Sequence, residues 1–132
     1  MKKTGTLNAQ LSRVLAELGH GDMIVIADCG LPIPPHVERI DLALTQGVPS
    51  FAQTMDVILS EMQVERLVYA SEAHEHNPQV IEYVEKLTEA GVQSAELGHE
   101  SFKVLTAKAR AVIRTGEATP YANMILYSGV VF

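Results

Sequence analysis

A single cysteine among 132 residues excludes an internal disulfide framework. Basic residues are scarce too. Ten Lys and Arg stand against sixteen Asp and Glu, a net charge of −6 with His neutral. That balance lacks the basic face that nucleic acid demands, and it offers no polybasic patch to an anionic membrane. No apolar run approaches the length of a membrane span. Met1-Lys2-Lys3 is basic but leads into no apolar stretch or cleavage site of a signal peptide. No G-x-G-x-x-G follows the first predicted strand and there is no P-loop, so no nucleotide cofactor is expected. Internal repeats, low-complexity stretches and linkers are missing as well. The expectation is one domain over residues 1–132, cytoplasmic, with no nucleic-acid or membrane partner.

Apolar residues, by contrast, make up 47% of this short chain. The tail Met124-Ile125-Leu126-Tyr127-Ser128-Gly129-Val130-Val131-Phe132 stays apolar to the last residue. A solvated terminus has no need of that, so the pattern predicts a homo-oligomer that hides part of the surface.

Helical and strand periods alternate. Leu7, Leu11, Val14, Leu15 and Leu18 share one helical face, which Gly19 can end. Met23 to Ala27 is a continuous apolar run suited to a strand buried on both faces. Ile40, Leu42 and Leu44 alternate with Asp41 and Ala43 as in a second strand. Ser50 with Gln53 forms a capping box before the stripe Phe51, Met55, Ile58, Leu59 and Met62. Arg66 to Ala70 is a third strand. Pro78 opens a helix that turns Val80, Ile81, Val84 and Leu87 inward and stops at Gly91. A short strand over Gln93 to Leu97 and a helix over Ser101 to Ala109, carrying Phe102 and Leu105 inward, follow. Lys108 and Arg110 fall at that helix's end, where the dipole favours cations. Ala111 to Arg114 and Met124 to Val131 are the last strands. The alternation predicts a single layered α/β/α domain with a mixed, mainly parallel sheet.

The richest segment is Gly19-His20-Gly21-Asp22-Met23-Ile24-Val25-Ile26-Ala27-Asp28: helix end, tight turn, buried strand, carboxylate. His20 can take and give a proton near neutrality. Asp28 stands at the carboxyl end of a strand, where α/β folds bind ligands. The two suit a proton-transfer site that needs no cofactor. On the residues alone, a helix cap at Gly-His-Gly with a turn at Asp28 is the favoured reading. His99, before a predicted helix, is either a cap or a ligand contact. Tyr121 and Asn123 lie two apart before the last strand, and an extended segment would point both to one face. His74 and His76 form a His-x-His that suits zinc, but no third and fourth ligand follow at a fixed spacing, so a plain loop and no metal site are expected. His36 has no evident partner. Cys29 has no sequence-adjacent histidine to activate it and is expected to be a small buried thiol.

The string Met1-Lys2-Lys3-Thr4-Gly5-Thr6-Leu7-Asn8, then Gly-His-Gly-Asp, then Ala27-Asp28-Cys29-Gly30-Leu31-Pro32-Ile33-Pro34 resembles the D-ribose pyranase family. Gly98-His99-Glu100 and Thr115-Gly116-Glu117-Ala118-Thr119-Pro120-Tyr121-Ala122-Asn123 resemble it also, and the motifs keep family order along the whole chain. The resemblance implies an isomerase that interconverts the pyranose and furanose forms of D-ribose in ribose catabolism, without metal or other cofactor. It implies His20 as the acid/base group, with Asp28, His99, Tyr121, Ala122 and Asn123 holding the sugar. It further implies clefts between neighbouring subunits in a decamer of two pentameric rings. The nearest alternative is the related fucose mutarotase family; Gly30-Leu31-Pro32-Ile33-Pro34 favours the ribose branch. Outside this class stand a metal-dependent hydrolase built on His20, His74, His76 and Asp28, and a non-catalytic sugar-binding protein.

Overall fold

Met23 to Ala27 form β1, and all five residues are buried. A strand apolar on both sides must lie inside a sheet covered on both faces. The computed structural model, which describes residues 1–132, places it there. The elements run α1 (Ala9–Glu17), β1, β2 (Glu38–Asp41), α2 (Phe51–Glu61), β3 (Val64–Ala70), α3 (Ala73–His76), α4 (Pro78–Glu89), β4 (Gln93–Leu97), α5 (His99–Leu105), β5 (Ala111–Arg114) and β6 (Met124–Ser128). A 3-10 turn over Thr106–Lys108 follows α5. The sheet order is β2-β5-β1-β6-β3-β4. Neighbours pair in parallel except β6, which runs antiparallel to both β1 and β3. The result is the expected layered α/β/α fold with a mixed, mainly parallel sheet.

Alternate side chains of the strands feed two cores. Ile24, Ile26, Leu67, Ile113, Met124 and Leu126 pack under α1, α2 and α4 with Leu11, Val14, Phe51, Met55, Val80 and Val84. Val25, Val68, Val112 and Ile125 pack on the other face against Phe102 of α5, with Leu31 and Val37. The capping box of α2 forms as read: Gln53 N donates to Ser50 Oγ, and Ser50 N donates to Gln53 Oε1. Pro78 opens α4. After Gly91, Val92 N donates back to Leu87 O and closes the helix. No helix is long and apolar enough to cross a membrane.

Five boundaries differ from the sequence reading. Strand β3 starts at Val64, two residues before Arg66, because Val64 still pairs with Ser128 of β6. The second strand covers Glu38–Asp41, not Ile40 to Leu44: Ile40 is buried, but Leu44 is 81% exposed in a loop. Pairing with β5 ends at Asp41↔Arg114, and an alternating pattern without a partner strand makes no strand. Helix α5 starts at His99, two residues early, and ends before Ala109; Arg110 pairs with Asp22 at 3.2 Å instead of serving the helix end. Strand β6 stops at Ser128, one residue past its last pair with β1 (Met23↔Tyr127) and at its pair with Val64 of β3, so Val131 and Phe132 are exposed on this chain. Finally, Gly19 does not end α1. The helix closes at Leu18 in extended conformation, and the left-handed residue is Gly21, at φ +84. Glycine is the residue that adopts that conformation freely.

Candidate functional site

The carboxyl end of β1 gathers most of the expected residues, because β6 runs antiparallel beside it. Met124 pairs with Ile26, so Asn123 falls next to the residues that follow β1. Asn123 is fully buried and grips Asp28 twice. Asp28 N donates to Asn123 Oδ1, and Asn123 Nδ2 donates to Asp28 Oδ2, both at 2.8 Å. Gly30 N donates to Asp28 Oδ1 at 2.9 Å. The carboxylate is thus fixed in one rotamer while its residue remains half-buried.

His99 enters from the carboxyl end of β4. Its backbone N–H meets both oxygens of Glu72 at 3.0 Å. Burial pushes the Glu72 carboxyl up, but its own amide, the His99 amide and the Ser71 hydroxyl outweigh this and hold it below the usual 4.5. The His99 ring lies 5.1 Å from that of Tyr121, edge to face. Its Nδ1 is buried with no hydrogen-bond partner in the chain. An unpaired buried polar atom costs about 1–3 kcal/mol until something satisfies it.

A second imidazole also packs on Tyr121: His76, on the single turn α3, lies 5.5 Å from its ring. The φ of Tyr121 is +60, the left-handed region that a bulky residue occupies only under constraint. The extended geometry expected of Tyr121 is therefore absent. Tyr121 and Asn123 converge on Asp28 all the same, Asn123 from beneath and Tyr121 across a cleft of about 230 Å³. That cleft is lined by Asp28, Gly30, Leu31, Pro32, His99, Pro120 and Tyr121. Its size suits a small polar molecule, below the roughly 300–1,000 Å³ of drug-sized sites. Ala122 is fully buried with its methyl in the main core, so only its backbone can face a ligand. A larger groove of about 410 Å³ along Leu44, Thr45, Gln46 and Arg114 contains none of the expected residues.

The turn that carries Tyr121 is clamped from below. Asn77, itself buried, donates through Nδ2 to Pro120 O at 2.8 Å and to Thr119 Oγ1 at 3.0 Å. Thr119 Oγ1 donates to Glu117 Oε2 at 3.0 Å, and Phe51 N donates to Glu117 Oε1 at 3.0 Å. Burial pushes the Glu117 carboxyl up, yet the Phe51 amide, the Thr119 hydroxyl and the Gln79 amide hold it below 4.5. Any side chain at Gly116 would run into the Thr45 and Val48 backbone, so the loop and the capped start of α2 fit only with glycine there. Glu65, Glu72 and Asn77 had no functional signal in the sequence, since each acts on a residue tens of positions away; Glu117 stood inside the motif from Thr115 to Asn123 but with no role read for it.

His20 is elsewhere. It precedes β1 while Asp28 follows it, and the five residues of strand between them span about 17 Å. One chain therefore does not join the two into a proton-transfer pair. His20 instead donates from Nε2 to Glu65 Oε2 at 2.8 Å, with its side chain 60% exposed. His74 pairs with Glu96 at 2.7 Å and Tyr69 at 3.1 Å, holding α3. His36 bonds to Ala107 O. No three His, Cys, Asp or Glu side chains form a metal-holding group. Cys29 is half-buried, not buried, because the loop after β1 opens towards the cleft beside Asp28.

The model of the RbsD / FucU transport protein family matches residues 1–131. The chain belongs to this family. Among its relatives, a D-ribose pyranase of Laribacter hongkongensis is 62% identical over 132 residues, the whole of both chains. Bacillus subtilis RbsD complexed with D-ribose is 50% identical, covers both chains fully and superposes with a TM-score of 0.94. The family's second branch is more distant: a fucose mutarotase of Streptococcus pneumoniae, in complex with L-fucose, is 26% identical over the full length of both, with a TM-score of 0.80.

Proposed function

We propose that this chain is a D-ribose pyranase, an isomerase that interconverts the β-pyranose and β-furanose forms of D-ribose in ribose catabolism. The observation that carries the reading is the 62% identity to a D-ribose pyranase over the whole of both chains. The fucose alternative rests on a relative at 26%.

The reaction asks for little. The anomeric hydroxyl loses a proton as the ring oxygen gains one, the chain opens and rotates, and another hydroxyl closes it. One placed acid/base group supplies about 10²–10⁴-fold. His20 is the proposed group. Asp28, His99, Tyr121, the Ala122 backbone and Asn123 are the proposed sugar-holding set; they combine a fixed carboxylate, an unpaired buried imidazole nitrogen and a phenol around one small cleft. The span of β1 between His20 and Asp28 supports a cleft completed between copies, the His20 of one facing the Asp28 of another. The proposed assembly is a decamer of two pentameric rings, each copy one domain over residues 1–132, at work in the cytoplasm. The exposed Val131 and Phe132 support burial of the tail inside it. No step of ring opening and closure calls for a metal or nucleotide.

Saturation transfer between the anomeric NMR signals of D-ribose tests the function. Pyranose–furanose exchange accelerated by catalytic amounts of protein is expected. Binding of ribose with exchange at the background rate would leave a sugar-binding protein and refute the isomerase.

A further inference from the structure

Strand β3 contains an irregularity at one residue. Val64 pairs with Ser128 of β6, but Arg66 pairs with Tyr127, so Glu65 is an extra residue between two successive partners. Such a bulge turns the side chain of the inserted residue out of the regular alternation, and bulges recur beside active sites. Its mark is two exposed residues in a row, Glu65 and Arg66, before a run of buried ones. The redirected Glu65 carboxylate is the group that accepts the 2.8 Å hydrogen bond from His20 Nε2. Space is kept for it: a Cβ at Gly129 would press to 3.1 Å on the Glu65 Cβ. The His20 backbone is fixed independently, by Gly21 N donating to Ser128 O and Gly19 N to Asp22 Oδ2.

We infer that Glu65 is the positioning residue of the acid/base histidine, delivered by the bulge in β3. An ionised carboxylate only accepts, so it holds the proton of a neutral imidazole on Nε2. Nδ1 is then the nitrogen left free to take and return the sugar's protons. His20 makes no other side-chain hydrogen bond, so without Glu65 a ring that is more than half exposed rotates and exchanges tautomers freely. A merely structural surface pair would fix the same tautomer but predicts no rate effect, so the turnover rate decides between the two.

The inference rests on His20 being the acid/base group, and the test separates the two. Exchange rates and ribose affinity are compared for wild type, His20→Ala, Glu65→Ala and Glu65→Gln, with ¹⁵N-histidine spectra of the last two and wild type. Wild type should show the His20 pattern of a proton on Nε2. Glu65→Ala should lose that pattern and lower the turnover rate about 10- to 100-fold, the scale of a lost hydrogen bond to a charged partner, with KM within about twofold. Glu65→Gln keeps length and an acceptor oxygen, so it should retain the tautomer and recover most of the rate. Glu65→Ala turning over at the wild-type rate, or keeping the wild-type tautomer pattern, overturns the inference while His20→Ala is inactive. A fully active His20→Ala instead overturns the reading beneath it.

Discussion

Replacing Asn123 by alanine strikes at the support of Asp28 as much as at the proposed ligand contact. The side chain is fully buried and makes two 2.8 Å hydrogen bonds to Asp28, one to its amide and one to its carboxylate. A neutral hydrogen bond contributes about 0.5–1.5 kcal/mol and one to a charged group about 1.5–3 kcal/mol. Asp28 is half-exposed and water can take up part of the loss, so the lower part of that range applies. The expected destabilisation is about 2–3 kcal/mol. Urea unfolding followed by fluorescence or circular dichroism measures it, as a lower midpoint at unchanged slope. Ribose affinity, read by titration under native conditions, should fall as well, since the freed carboxylate leaves the rotamer that Asn123 and Gly30 impose. A variant within about 0.5 kcal/mol of wild type that binds ribose equally would show that Asn123 holds neither Asp28 nor the sugar.

His20→Ala should cut pyranose–furanose exchange by about 10²–10⁴-fold while ribose still binds, because the proposed sugar-holding set of Asp28, His99, Tyr121 and Asn123 is left intact; exchange NMR beside a binding titration checks this. Glu117 gives an acid limb to stability. Its carboxyl lies below 4.5 in the fold and returns to that value on unfolding. Its contribution is therefore complete above about pH 4.5 and fades as pH falls through the lower folded value. Glu117→Gln should flatten that part of the stability-against-pH curve, and a curve of unchanged slope would remove Glu117 as its source. Light scattering at micromolar concentration should return a mass many times that of one chain, and deletion of Val130 to Phe132 should lower it; a monomer would contradict the burial assigned to the tail.

How much was legible in the sequence followed from the range of each signal. β1, the capping box at Ser50 and Gln53, the proline start of α4 and the apolar stripes of α2 and α4 are local patterns of period or cap, and they stand where they were read. The layered α/β/α class follows from their alternation. The ends of β2 and β6 did not follow, since a strand extends only as far as a neighbour pairs with it, and the neighbours of Leu44 and Val131 are not written near them. The site divides in the same way. His20, Asp28, His99, Tyr121 and Asn123 are visible as residue types in motifs. Tertiary structure alone decided that Asn123 grips Asp28 across 95 positions, that Tyr121 stands in a left-handed conformation in contact with two imidazoles, and that His20 turns to Glu65 rather than to Asp28. The physical reason is that side-chain geometry at a strand end is set by whichever strand lies alongside. Here that strand is β6, antiparallel in an otherwise parallel sheet, a choice that no local pattern in the chain encodes.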